Sequence, residues 1–312
     1  MDLSIVTTLY SSAPYIEDFY ARISRAAGTI TDAYEIIFVN DGSPDNSLDI
    51  AKALFEKDHR VRIVDLSRNF GHHKAMMTGL AHASGDLVFL IDSDLEEEPE
   101  LLATFYDAIT TSGADVIYGV QQKRKGSFVE KIGGHLFYGL LNHLSNYPIP
   151  SNIITARLMR KRYVVRLIEH RDREVFIAGL WAITGFEQLP IIVNKTDKGT
   201  SVYDLKRKLS ILVNSITSFS NRPLVYIFYL GILIMACSGC AALYLIIRRL
   251  FFDVLLSGWP SLIVSVWLLG GITIFCVGII GIYLSKIFME TKDRPYTVVK
   301  EVYEKRNETH TY

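Results

Sequence analysis

Two hydrophobic periods alternate along the first part of the chain. Short, nearly unbroken apolar runs at Leu3–Leu9, Tyr34–Val39, Val61–Leu66 and Asp86–Ile91 read as strands. Between them, Tyr15–Ala27, Ser47–Lys57 and His72–Ala83 repeat at helical spacing, and Ser84-Gly85 closes the third. A strand covered on both faces shows a continuous apolar run, because neither face meets water. Strands and helices in strict alternation predict an α/β fold, a mostly parallel sheet with helices on both faces. Ligands in such sheets bind beyond the carboxyl ends of the strands. The turn Asn40–Asp45, the pair Arg68-Asn69, and Asp92-Ser93-Asp94 all fall at those ends.

The pattern changes in the last third. Leu224 to Ile247 is free of charge for 24 residues and Ser261 to Ser285 for 25. A bilayer core takes about 20 apolar residues, so two membrane spans are expected, at about 224–247 and 261–285. Lys206, Arg207, Lys208 and Arg222 precede the first span, and Lys286, Lys292, Arg294 and Lys300 follow the second. The loop between them holds Arg248, Arg249 and Asp253. The heavier basic flanks put both termini in the cytoplasm. Just upstream, Leu205, Leu209, Leu212, Ile216 and Phe219 form one apolar stripe with Lys206 to Lys208 off it, as in a helix lying in the membrane interface. The expected organisation is a catalytic domain over 1–203, a juxtamembrane helix over 204–222, the two spans within 223–289, and a charged cytoplasmic tail over 290–312. The opening residues, Met1 to Val6, carry no basic leader, so no signal peptide is expected.

Composition narrows the chemistry. The chain has 33 basic and 33 acidic residues, so no global basic bias points to nucleic acid. Its three cysteines, Cys237, Cys240 and Cys276, all lie in the apolar spans, where they read as packing residues, not as ligands. No G-x-G-x-x-G follows the first strand, which argues against a dinucleotide dehydrogenase. Asp92 and Asp94, two residues apart at a strand end, can share one hard divalent cation, and that cation can hold a diphosphate.

Several segments together resemble the family-2 glycosyltransferases that charge a polyprenyl phosphate with a sugar, the group of the dolichol-phosphate mannosyltransferases and bacterial bactoprenol glucosyltransferases. They are Val39-Asn40-Asp41-Gly42-Ser43, Leu66-Ser67-Arg68-Asn69-Phe70-Gly71, Ile91-Asp92-Ser93-Asp94-Leu95, Arg157-Leu158-Met159, Gly199-Thr200-Ser201-Val202-Tyr203 and Ser220-Asn221-Arg222-Pro223. The resemblance implies a GT-A fold followed by a membrane hairpin. It also implies inverting transfer of one sugar from a UDP- or GDP-sugar to a polyprenyl phosphate, at the cytoplasmic face of a bacterial inner membrane, by a homo-oligomer, tetrameric in form. Tyr10 and Asp41 would then meet the nucleotide, with Arg68, Asn69, Gly71, Lys74 and Ser93 completing the donor site. Asp92 and Asp94 would hold Mg²⁺ or Mn²⁺, with Glu96 as a third carboxylate where the family commonly has glutamine. Glu97 and Glu98 read as solvated residues at a helix start.

The chain departs from the pattern at the acceptor side. Where the family usually has Gly-Asp-Phe-Arg-Leu, this chain has Ile154-Thr155-Ala156-Arg157-Leu158, so Thr155 stands in the place of the aspartate taken as the base. A threonine is no general base near neutral pH, which leaves Thr155 and Arg157 as catalytic positions of altered chemistry. Arginines that would grip a lipid phosphate are replaced by Gln122, His135 and Ala178. Lys123, Arg124, Lys131 and His135 are the remaining candidates for that phosphate. Two other readings keep the fold: transfer to a hydroxyl of another lipid or glycan, which Thr155 disfavours, and a scaffold without turnover. A processive polysaccharide synthase would need a Q-x-x-R-W segment and further spans, and neither is present.

Overall fold

The computed structural model describes residues 1–121, 152–173, 175–193, 217, 220–252 and 258–305. The chain begins as expected: β1 (Leu3–Leu9), α1 (Ile16–Gly28), β2 (Tyr34–Asn40), α2 (Ser47–Lys57), β3 (Val61–Leu66), α3 (His72–His82) and β4 (Leu87–Leu90). There follow α4 (Leu101–Ser112), β5 (Val116–Gln121), β6 (Ile153–Arg160), α5 (Lys161–Ile168), α6 (Ile177–Ile183) and β7 (Gln188–Val193). Two long helices, α7 (Arg222–Phe252) and α8 (Trp259–Thr291), precede a last strand, β8 (Val299–Tyr303).

The eight strands form one sheet in the order β7-β5-β6-β4-β1-β2-β3-β8. β1 pairs in parallel with β2 and β4, β2 with β3, and β5 with β7. β6 runs antiparallel to β4 and β5, and β8 antiparallel to β3. This is a GT-A-like α/β arrangement with a mostly parallel sheet. Every residue of β1 and β2 is buried, as strands covered on both faces must be. One core joins Leu3, Ile5, Phe38 and Phe89 of the sheet to Phe19 of α1 and Phe105 of α4. The Phe19–Phe38 and Phe89–Phe105 pairs meet edge to face at 6.3 and 6.1 Å. Helix α3 packs against β1 and β2 through Gly79, where an added Cβ would stand 2.5 Å from the Val6 side chain and 2.7 Å from that of Val39.

Beneath α3 a buried carboxylate ties three strands. Glu35 accepts hydrogen bonds from the hydroxyls of Ser4 and Ser84, each at 2.6 Å, and pairs with Arg62 at 2.7 Å. Burial alone would raise the Glu35 pKa, but these donors outweigh it and hold the group below its ordinary value. Asp58 is held down to about 2. Burial opposes this, and the side chain and backbone N–H of Arg60 and the Tyr20 hydroxyl overcome it. Asp45 also sits at about 2, with the Ser43 and Ser47 hydroxyls outweighing burial. A carboxylate whose pKa is lower folded than unfolded stabilises the fold above its unfolded pKa and loses that contribution as pH falls towards the folded one. The domain is therefore expected to keep its stability down to about pH 4 and to lose it between about pH 4 and 2. Thermal melts across that window check this; a flat melting temperature from pH 5 to 2 would contradict it.

Two expectations change. The segment after the apolar helices is not simply a charged tail: Val299–Tyr303 enters the catalytic sheet, and residues 294–305 belong with that domain, beyond the 1–203 boundary expected. Lys300 pairs with Asp65 at 3.7 Å and Glu304 with Arg62 at 2.8 Å, so charged side chains anchor an edge strand. For the paired spans, among the described residues one helical stretch, Ser265–Thr291, is long and apolar enough to cross a membrane. Arg222–Ser238 is a shorter apolar stretch, so a two-span hairpin is not established by length and composition. The expected juxtamembrane helix over 204–222 lies almost wholly outside the described residues.

Candidate active site

The chain winds from β1 through β2 to β3 on one side, then returns to place β4 on the other side of β1. That reversal opens a crevice at the carboxyl ends of β1 and β4, where open α/β sheets bind ligands. The ends of β1, β2, β4 and β6 and the first turn of α3 converge there.

The turn after β2 shapes one wall. Gly42 has φ +59°, and a Cβ on it would stand 2.5 Å from the Asn69 backbone nitrogen, so only glycine lets the two loops approach so closely. Beside it, Asp41 accepts the N–H of Phe70 at 2.7 Å and of Gly71 at 3.0 Å. Burial pushes the Asp41 pKa up against those two bonds. Asp41 thus fixes the loop that opens α3. Arg68 lies over the Phe70 ring at 4.0 Å and donates to the Asn69 carbonyl at 3.0 Å. The Lys74 backbone N–H caps onto the Gly71 carbonyl within the first turn of α3, and Tyr10, after β1, is exposed.

The aspartate pair forms the floor. The Ser93 hydroxyl donates to the Thr8 carbonyl at 2.9 Å and lies 3.1 Å from the Ser12 hydroxyl, locking the β4 turn to the end of β1. Leu95 takes φ +60°, in the left-handed region a leucine rarely occupies, and the Glu96 N–H donates to Asp94 Oδ1 at 2.9 Å. Asp92 is held from two sides. Thr155 donates its hydroxyl to Oδ2 at 2.8 Å, and His72 Nε2 lies 3.2 Å from Oδ1. His72 Nδ1 in turn meets the Thr8 hydroxyl at 3.0 Å. Burial lowers the His72 pKa, but Asp92, with Asp41 and Asp94 behind it, reverses the shift and raises it. His73, one residue on, faces away: its ring meets the Val175 carbonyl at 3.2 Å, and burial pushes its pKa down.

Glu97 corrects the expectation of a solvated helix start. It is buried, and its two oxygens accept the N–H of Thr155 at 2.9 Å and of Ala156 at 2.7 Å. Arg157 is fully buried, with its guanidinium against the Trp181 ring. Burial pulls its pKa down to about 9, and Tyr163, Glu97 and Tyr118 oppose that pull, so it stays charged at neutral pH. The structure thus brings Asp92, Asp94, Ser93, Thr155 and the Asp41-anchored loop to one crevice and sets Arg157 beneath it. Lys123, Arg124, Lys131 and His135 lie outside the described residues. Glu97 and His72 gained their roles only in three dimensions: Glu97 stands in a run of three glutamates, and nothing local marks the middle one.

Among the described residues, no three His, Cys, Asp or Glu side chains gather as a complete metal site. Two carboxylates alone fit a hard cation that takes its remaining ligands from water and a bound diphosphate. Asp92 and Asp94 would supply that oxygen-only pair.

The chain matches glycosyl transferase family 2 over residues 4–167. A Mycobacterium tuberculosis protein named among the glycosyltransferases is 55% identical over 97% of this chain and 89% of its own length. The uncharacterized glycosyltransferase YkcC of Bacillus subtilis is 36% identical over 96% of this chain and 94% of its own. The SfII prophage-derived bactoprenol glucosyl transferase of Shigella flexneri is 30% identical over 96% and 98%. Fold, site and sequence define a glycosyltransferase. The chain belongs to glycosyl transferase family 2, whose enzymes commonly use a divalent metal.

Proposed function

We propose that this enzyme transfers one sugar, with inversion, from a UDP- or GDP-sugar to a polyprenyl phosphate at the cytoplasmic face of a membrane. The observation that carries the acceptor is the 30% identity to a bactoprenol glucosyl transferase, which spans the apolar helices as well as the catalytic domain. A phosphate oxygen of the acceptor attacks the sugar's anomeric carbon, the bond from that carbon to the donor diphosphate breaks, and the nucleoside diphosphate leaves. A phosphate monoester has a second pKa of about 6 and is already mostly dianionic at neutral pH. Thr155 in the usual aspartate position therefore costs this acceptor little, whereas a hydroxyl acceptor would lack its base. Asp92 and Asp94, with Glu96 nearby, are the residues to hold Mg²⁺ or Mn²⁺, which when bound neutralises charge on the departing diphosphate. Asp41 orders the loop Arg68–Gly71 against the nucleotide, beside Tyr10, Ser93 and Lys74.

The return of β8 to the catalytic sheet supports the two-span reading. A chain that leaves a domain and rejoins its sheet crosses a membrane an even number of times. If Ser265–Thr291 spans the bilayer, a second crossing precedes it, and α7 is the candidate. Both ends of the chain then lie on the catalytic side.

The test is a transfer assay with purified protein, Mn²⁺ or Mg²⁺, a panel of UDP- and GDP-sugars and undecaprenyl phosphate. A metal-dependent glycosylated lipid phosphate is expected. Nucleotide release with sugar on another acceptor would overturn the lipid-phosphate reading.

A further inference from the structure

We propose that Thr155 is a positioning residue for Asp92, fixing the plane of its carboxylate, and that Glu97 sets Thr155 in place. This rests on the reading of Asp92 and Asp94 as the cation's carboxylates. The torsion that turns an aspartate carboxylate is broad and roughly two-fold, so an unsupported carboxylate at a strand end samples many planes. Here one oxygen accepts the Thr155 hydroxyl at 2.8 Å and the other faces His72 Nε2 at 3.2 Å. A hydrogen bond on one oxygen and the His72 ring beside the other define one plane.

The support is continuous into the core. Thr155 stands on β6, where a β-branched side chain has few rotamers and suits the strand. Its backbone N–H and that of Ala156 both end on the buried carboxylate of Glu97, at 2.9 and 2.7 Å. With both oxygens turned to β6, Glu97 braces the strand. Arg157, two residues along, is a buried positive charge that Glu97 helps to hold. The β4 turn carrying Asp92 and Glu97 and the β6 strand carrying Thr155 are thus clasped at two points five residues apart on the turn. Threonine in place of a base exchanges a proton acceptor for a hydrogen-bond donor aimed at the metal carboxylate. An aspartate there would present a second negative charge to Asp92 instead of a donor.

Partners of metal ligands are worth about 10–100-fold in metal affinity. The test is Mn²⁺ binding to the full-length protein in the presence of UDP, followed by the electron paramagnetic resonance of free Mn²⁺, for the unaltered protein and for Thr155→Val, Thr155→Ser, Glu97→Gln and Asp94→Ala. Thr155→Val keeps the shape and removes the donor, and is expected to weaken Mn²⁺ binding by about 10-fold or more. Thr155→Ser restores the donor and should bind close to the unaltered protein. Glu97→Gln should fall between them. In transfer assays, the Thr155→Val defect should show as a raised Mn²⁺ requirement that saturating metal largely relieves. Unchanged Mn²⁺ affinity in Thr155→Val, alongside lost affinity in Asp94→Ala, would overturn the positioning role and leave the carboxylate reading standing. Full Mn²⁺ affinity in Asp94→Ala would instead remove the carboxylate reading, and the proposal with it.

Discussion

Asp94→Ala is expected to lower sugar transfer by about 10³-fold or more while leaving the fold intact. The size follows from the several kcal/mol that a bound cation contributes to a transition state where charge moves onto a diphosphate, at about 1.4 kcal/mol per tenfold in rate. Asp94 is the better of the two aspartates for this test. Asp92 joins β1, α3 and β6 through His72 and Thr155, so its loss would disturb the crevice as well as the cation site. The Asp94 side chain accepts the Glu96 N–H of its own turn. The melting temperature of Asp94→Ala should therefore stay near that of the unaltered protein while turnover collapses. Unchanged turnover would end the assignment of the aspartate pair to a metal, and a collapsed melting temperature would show that the turn depends on the side chain.

Ending the chain at Asp293 is expected to destabilise the catalytic domain, although the residues removed follow the apolar helices. β8 covers the edge of β3, with Ile63 opposite Tyr303 and Val64 opposite Val302. The Ser67 N–H donates to the Val298 carbonyl at 2.9 Å, and the Thr297 and Thr78 hydroxyls meet at 2.8 Å, tying the returning chain to α3. Tyr303 packs edge to face on Phe55 of α2, at 6.2 Å between centroids. Each hydrogen bond contributes about 1 kcal/mol net, offset in part by the entropy of ordering the strand. A loss on the order of 2–4 kcal/mol remains, enough to lower the melting temperature by about 5–15 °C. An uncovered, largely apolar β3 edge is also a template for pairing between chains, so the shortened protein should self-associate on size-exclusion chromatography in detergent. A monodisperse truncation with an unchanged melting temperature would show that β8 contributes nothing to the domain.

The residues of the donor side were legible because their chemistry is local. A strand end that carries aspartates at i and i+2 brings both carboxylates to one edge whatever the rest of the fold does, and Asn40-Asp41-Gly42 marks a tight turn on composition alone. β1 to β4 were legible for the same reason, since strands buried on both faces are written as apolar runs. β5, β6 and β8 were not. β8 is five residues with Lys300 and Glu301 in its middle, and that segment reads as a solvated tail. Lys300 becomes intelligible only beside Asp65, and Glu304, just past the strand, only beside Arg62, both far away in sequence.

The sequence by itself determined the α/β class, the crevice at the carboxyl ends of β1 and β4, and the aspartate pair there, because periodicity and short-range spacing carry that information. The tertiary structure alone decided which neighbouring carboxylate is buried, what Thr155 touches and where the segment after the apolar helices goes. Glu97 is the glutamate of the three that is buried and bonds β6, the Thr155 hydroxyl meets Asp92, and β8 pairs with the edge that β3 offers. Each of these is a long-range pairing whose energy comes from burial and from hydrogen bonds between distant segments, and no local pattern encodes it.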